Sequence, residues 1–192
     1  MTTDLTKLLE DLINEIVKED SNSKWKDSPF KMQRRVQIDK RGSTGERFFL
    51  LTLTNLYHRR VEYKDGDQGD WDLKIGRTKF EVKTSTLDCN NKFQNENLKS
   101  HGDYDGVLFL GIAPHDIYMY CIRKEHIDFK NKMIDYNGVK VNLHDRGKSG
   151  TSQNPTGAGF KCDLKPKQMT KIATEQDLKQ VFENEFPEFK RL

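Results

Sequence analysis

The chain has 192 residues, 34% hydrophobic and 33% charged, with 33 Lys and Arg against 30 Asp and Glu for a formal charge of +3. That length suits one domain around one core, and a charge this balanced neither demands nor excludes a nucleic-acid partner, so local clusters must decide. Three widely spaced cysteines, Cys89, Cys121 and Cys162, exclude a disulfide framework and a CxxC zinc site; with no ~20-residue apolar span and no signal-peptide pattern, a soluble cytoplasmic protein is expected.

Leu5, Leu8, Leu9, Leu12, Ile13, Ile16 and Val17 recur at the spacing of one helical face and predict an opening helix. Residues 24–41 keep no clean period but concentrate base: Lys24, Lys26, Lys31, Arg34, Arg35, Lys40 and Arg41, interleaved with Trp25 and Phe30. The segment reads either as a phosphate-tracking arm or as a solvated face. Ser43-Thr44-Gly45-Glu46 has the form of a capping box, and Phe48, Phe49, Leu50, Leu53, Leu56 and Tyr57 continue it as a second helix.

After a turn-rich stretch at 64–70, residues 71–75 and 79–85 read as a hairpin turning at Gly76-Arg77. The polar stretch 90–99, anchored by Phe93 and Leu98, is assigned a helix. Residues 107–112 form a short apolar run, as in a strand buried on both faces, with 117–122 as its neighbour. A small β addition is expected around 139–143 and 160–164, flanking a Gly, Ser and Asn loop. Thr174 then caps a last helix through Leu178, Val181 and Phe182.

The sharpest chemistry lies in the string GDWDLKIGRTKFEVKTS, residues 69–85. Side chains two apart on a strand point the same way, so Glu81 and Lys83 share one face while Phe80 and Val82 fill the core behind. The hairpin then brings Asp72 opposite Glu81. Two carboxylates and an ammonium on a rigid platform suit phosphodiester hydrolysis, in which Mg²⁺ binds carboxylates and lysine stabilises the hydroxide or the developing oxyanion. Taken alone, an acid-x-base triplet on a strand is more often a cross-strand charge pair.

Strand, turn and Glu-x-Lys preceded by an acidic residue resemble the PD-(D/E)xK nuclease superfamily, which includes many type II restriction endonucleases. The resemblance implies an α/β fold with a restriction-endonuclease-like core at about 43–123, a mixed central sheet with helices on both sides, and a helix-three-strand-helix-strand order. Residues 1–42 would then supply an N-terminal helix and basic segment, and 124–192 a β addition and helix of the same single domain.

By the same resemblance, Asp72 and Glu81 are the Mg²⁺ ligands, Lys83 is the catalytic lysine, and Glu46 is the helix-borne acid that some members place near the metal. No proline precedes Asp72; its neighbour is Trp71. Asp70 competes for the first carboxylate, but Asp72 is preferred because Leu73 and Ile75 flank it in strand-like alternation. For Glu46, position N3 of a capping box is a complete structural alternative.

Candidate DNA contacts are Arg34, Arg35, Lys40 and Arg41, with His144, Arg146 and Lys148 in the Gly-rich loop; an ordinary solvated loop explains the latter equally well. The expected function is Mg²⁺-dependent hydrolysis of double-stranded DNA by a homodimeric type II restriction enzyme. A repair or junction nuclease of the same fold and a catalytically inactive DNA-binding domain are its rivals.

Overall fold

A computed structural model describes Leu12 and residues 24–58, 61–64, 70–145 and 159–191. Among the described residues, α1 (Ile38–Tyr57) and α2 (Glu175–Glu185) accompany eleven strands. A six-stranded sheet has the order β1-β2-β3-β5-β6-β11, from β1 (Val61–Tyr63), β2 (Leu73–Ile75), β3 (Thr78–Thr86), β5 (Gly106–Ile112), β6 (Ile117–Arg123) and β11 (Thr170–Ile172). Among the described strands only β3 and β5 run parallel, from Phe80 opposite Gly106 to Thr86 opposite Ile112, so the sheet is mixed. A second, antiparallel sheet has the order β4-β10-β9-β8-β7, from β4 (Phe93–Leu98), β7 (Ile127–Asp128), β8 (Met133–Tyr136), β9 (Val139–Asp145) and β10 (Phe160–Leu164).

Both of these helices lie on one face of the main sheet, so among the described residues the helices are not on both sides as the resemblance implied. Phe49, Leu53 and Tyr57 of α1 and Leu178 and Phe182 of α2 pack with Phe80, Val82, Leu108, Leu110 and Met119. Phe80 stands edge-on to Phe186 at 5.1 Å between ring centroids and meets Phe182 at 5.5 Å. The opposite face, bearing Val107, Phe109, Tyr120 and Ile122, is covered by the second sheet through Phe93, Leu98, Ile134, Val141, Leu143, Cys162 and Leu164. Strand β5 therefore has every residue buried, which is why its sequence runs apolar without alternation.

The segment expected to be a helix at 90–99 is strand β4. Phe93 and Asn95 are buried in alternation, and Asn97 at φ 58° shifts the phase so that Leu98 is buried next. That reset hides the period of two. Asn95 belongs inside because its amide donates to the carbonyls of Phe93 (3.1 Å) and Cys162 (3.3 Å), while its Oδ1 accepts from Ser85 Oγ at 3.0 Å. The β3-to-β5 crossover thus runs through the second sheet where the resemblance implied a helix.

Helix α1 starts at Ile38 with Gln37 as N-cap, so Ser43-Thr44-Gly45-Glu46 lies inside it and is not a capping box. Tertiary packing overrides the local signal. A Cβ on Gly45 would fall 1.9 Å from Thr84 Oγ1, and Thr84 Oγ1 itself donates to the carbonyl of Gly42 at 3.4 Å. The glycine lets the helix lie directly on β3. At the other end of the chain Thr174 caps α2 as expected, accepting from Asp177 N–H at 3.2 Å while Asp177 accepts from Thr174 N–H at 2.8 Å.

The hairpin turns at Gly76, φ 63°, as expected. The opening helix predicted over residues 5–17 lies outside the described residues except for Leu12, which is helical and exposed.

Gly45→Ala should lower stability by ~1–3 kcal/mol through overpacking against Thr84, against the usual gain of up to ~1 kcal/mol for alanine in a helix. Gly42→Ala, whose added methyl meets only the flexible end of Glu46 at 3.4 Å, should be neutral or stabilising. Urea melts of both variants check this; equal midpoints would refute the close approach.

Candidate active site

The site begins where β2 and β3 part company. The two strands pair from Ile75 opposite Thr78 to Leu73 opposite Phe80, and Asp72 follows immediately beyond the paired residues. Asp72 N–H donates to the Phe80 carbonyl at 2.9 Å, and the Asp72 carbonyl accepts from Lys64 N–H at 3.0 Å. Beyond Phe80 β3 continues to Thr86 with β5 on one edge and, among the described residues, no strand on the other. The amide of Val82, the next to point to that open edge, donates to Asp72 Oδ2 at 2.7 Å. The carboxylate is therefore fixed by the strand it faces.

Phe80 and Val82 turn toward the helices, and Glu81 and Lys83 turn the other way. Glu81 is buried, with its side chain 12% exposed and that of Lys83 14%. Lys83 Nζ donates to Glu81 Oε1 at 2.5 Å. Glu46 approaches from α1, where Gly45 has brought the helix against β3, and its Oε2 accepts from Tyr63 Oη of β1 at 3.1 Å. With the capping box gone, that role no longer accounts for Glu46. Its charge is felt at Asp72.

Burial, reinforced by the charge of Glu81 and then of Glu46, pushes the Asp72 carboxyl up to about 7, although the Val82 amide and Lys83 pull the other way. Repulsion between carboxylates therefore outweighs what one lysine relieves. Such an arrangement is the electrostatic form of a cation site: hard oxygen donors, a deficit of positive charge, and side chains already held in place. Among the described residues no group of three or more His, Cys, Asp or Glu forms a ready cage. Mg²⁺ needs none, since it binds through one or two carboxylates and keeps several waters. Asp72 and Glu81 fit that demand.

The remaining sequence candidates fall in different places. Asp70, the rival of Asp72, pairs instead with Lys99 at 3.7 Å and is about half exposed. Arg34, Arg35 and Lys40 are exposed at the surface; Arg34 lies 6.0 Å from the Trp25 ring. Arg41 is structural in part, donating to the carbonyls of Val36 (2.9 Å) and Arg34 (2.6 Å). The basic segment is anchored to the body because Trp25 is buried in the helix-side core. His144 is exposed on β9, opposite Lys161, and Arg146 and Lys148 lie outside the described residues.

Sequence reasoning missed Tyr63, whose hydroxyl holds Glu46. A three-residue strand, β1, shows no period to detect. Compared with protein-family models and with curated protein sequences, the chain matches none.

Asp72 has a folded pKa above its unfolded value near 4, so its contribution to stability is full below about pH 4 and is lost as pH rises through about 7. Without divalent cations, Asp72→Asn should therefore melt higher than the parent at pH 8, by ~2–4 °C for each kcal/mol of burial cost and repulsion relieved, and should lose most of this advantage at pH 5. Thermal melts at both pH values test it; an Asp72→Asn variant that melts lower at pH 8 refutes the repulsion.

Proposed function

We propose that the protein is a Mg²⁺-dependent endonuclease that hydrolyses phosphodiester bonds of double-stranded DNA, of the type II restriction class, acting as a homodimer. The observation that carries this reading is the convergence of Asp72, Glu81, Lys83 and Glu46 on the open edge of β3, with the Asp72 pKa raised by burial and then by its acidic neighbours. The likeness of Asp72…Glu81-x-Lys83 to the PD-(D/E)xK pattern supports it further.

In this reading Asp72 and Glu81 would hold the cation, which would supply charge neutralisation at the scissile phosphate and a lowered pKa for bound water. Asp72 is held in place by the Val82 amide. Lys83, held by Glu81 at 2.5 Å, places an ammonium where it can stabilise the attacking hydroxide and the charge that builds on the phosphate oxygens. Glu46, held by the Tyr63 hydroxyl, would be the acid that orients water near Asp72. Two copies related by a two-fold axis would offer one such site to each strand of a palindrome.

Purified protein incubated with long unmethylated DNA and Mg²⁺ should give discrete fragments. Lys83→Ala should cut ~10²–10³-fold more slowly, the scale for removing one preorganised charge stabiliser, and Asp72→Ala should lose Mg²⁺-dependent cutting while remaining folded by circular dichroism. A smear would replace the restriction reading with a structure-directed or nonspecific nuclease. Wild-type protein inert on every DNA would sink the catalytic reading.

A further inference from the structure

The outer side of α1 carries an apolar side chain and a charge that the same copy leaves unused. Leu51 is 65% exposed, the most open large hydrophobic side chain among the described residues. Arg47, one turn before it, is exposed and makes no ion pair among the described residues, and Asn55, one turn after it, is exposed as well. Side chains four apart share a helix face, so Arg47, Leu51 and Asn55 form one stripe at intervals of ~6 Å along the axis.

Beside that stripe lies an apolar groove of about 190 Å³, in which Phe48 and Thr52 of α1 face Ile117, Ile172 and Leu178. Glu175, the first residue of α2, belongs to the groove lining, and its Oε1 accepts from Asn55 Nδ2 at 3.4 Å. That donor is a neutral amide, and among the described residues the Glu175 carboxylate makes no ion pair.

A single exposed leucine needs no explanation. The spacing around it does. A two-fold axis crossing α1 at Leu51 would run the helix antiparallel to its copy. Arg47 and Asn55 each stand four residues from Leu51, so the same axis sets Arg47 of one copy opposite Asn55 of the other. The carboxylate bonded to that asparagine is Glu175. One operation therefore brings an exposed leucine to an open apolar groove and an unpaired cation to an unpaired anion.

We infer that α1 is the surface on which two copies of this chain associate, Leu51 of each packing into the groove of the other and Arg47 of each pairing with Glu175 of the other. Such a contact is self-complementary and closes at two copies. The inference rests on the homodimeric reading above and gives it a surface; it does not draw on the chemistry of the Asp72 cluster.

The test is sedimentation velocity of the full chain between about 1 and 100 μM, where the wild type should be dimeric. Leu51→Asp, which removes the central apolar anchor, should raise the dissociation constant ~30-fold or more. Arg47→Glu should raise it ~10-fold or more by setting like charges face to face. Arg47→Glu/Glu175→Arg, which exchanges the charges, should recover most of the loss caused by Arg47→Glu. Met32→Asp is the control: Met32 is 57% exposed but outside the groove, and its substitution should leave the dissociation constant unchanged.

A wild type that stays monomeric at about 100 μM overturns this surface and the homodimer together. A wild-type dimer that Leu51→Asp and Arg47→Glu leave intact, or that Arg47→Glu weakens without recovery in the exchanged pair, overturns this surface and assigns the homodimer to another face. A dimer that responds as expected but never cleaves DNA overturns the nuclease reading alone.

Discussion

The organising constraint of this molecule is the one-sided edge of β3. On one side the strand is paired with β5 throughout Phe80 to Thr86; on the other β2 leaves it after Phe80. Backbone amides in a folded protein need acceptors, and the first one exposed by this departure, that of Val82, takes the carboxylate of Asp72. A chain-topology event is thereby converted into a fixed functional group. Everything else at the site is arranged around that edge: Glu81 and Lys83 on one face of the strand, Glu46 and α1 on the other.

Holding such an edge open requires a stiff strand, and both cores supply stiffness. Phe80 sits among Phe182, Phe186 and Phe189 with centroid separations of 5.1–6.3 Å, so the strand is clamped immediately before Glu81. On the opposite face Ser85 is tied to buried Asn95 of the second sheet. The stretch from Glu81 to Lys83 is therefore fixed at both ends. The C-terminal helix, which the sequence pattern left as an appendage, turns out to form part of this clamp.

What was legible in the sequence was what local rules control. The hairpin at Gly76, the doubly buried strand β5 and the Thr174 cap each depend on neighbours along the chain, and each is found where its residues indicated. Misreadings came where distant parts of the chain decide. Residues 93–98 hold few apolar side chains and lose their alternation at Asn97, so only their pairing with β10 makes them a strand. Ser43-x-x-Glu46 satisfies the capping rule, but contact with Thr84 extends the helix upstream. That error mattered, because it had supplied a structural excuse for Glu46.

The bland alternative for Glu81 and Lys83 was an exposed cross-strand pair, and the geometry weighs against it. Such pairs lie at the surface and contribute ~0–1 kcal/mol at most. Here both side chains are more than four-fifths buried, and further carboxylates stand close by and raise the Asp72 pKa. A purely structural ion pair gains nothing from that company, since each added acid weakens the fold at neutral pH. Local rules broken without a structural return mark functional sites. In the proposed reading a divalent cation supplies the return, and this ties the instability of the metal-free cluster to its chemistry: the repulsion that costs stability in its absence is what draws the ion to the edge of β3.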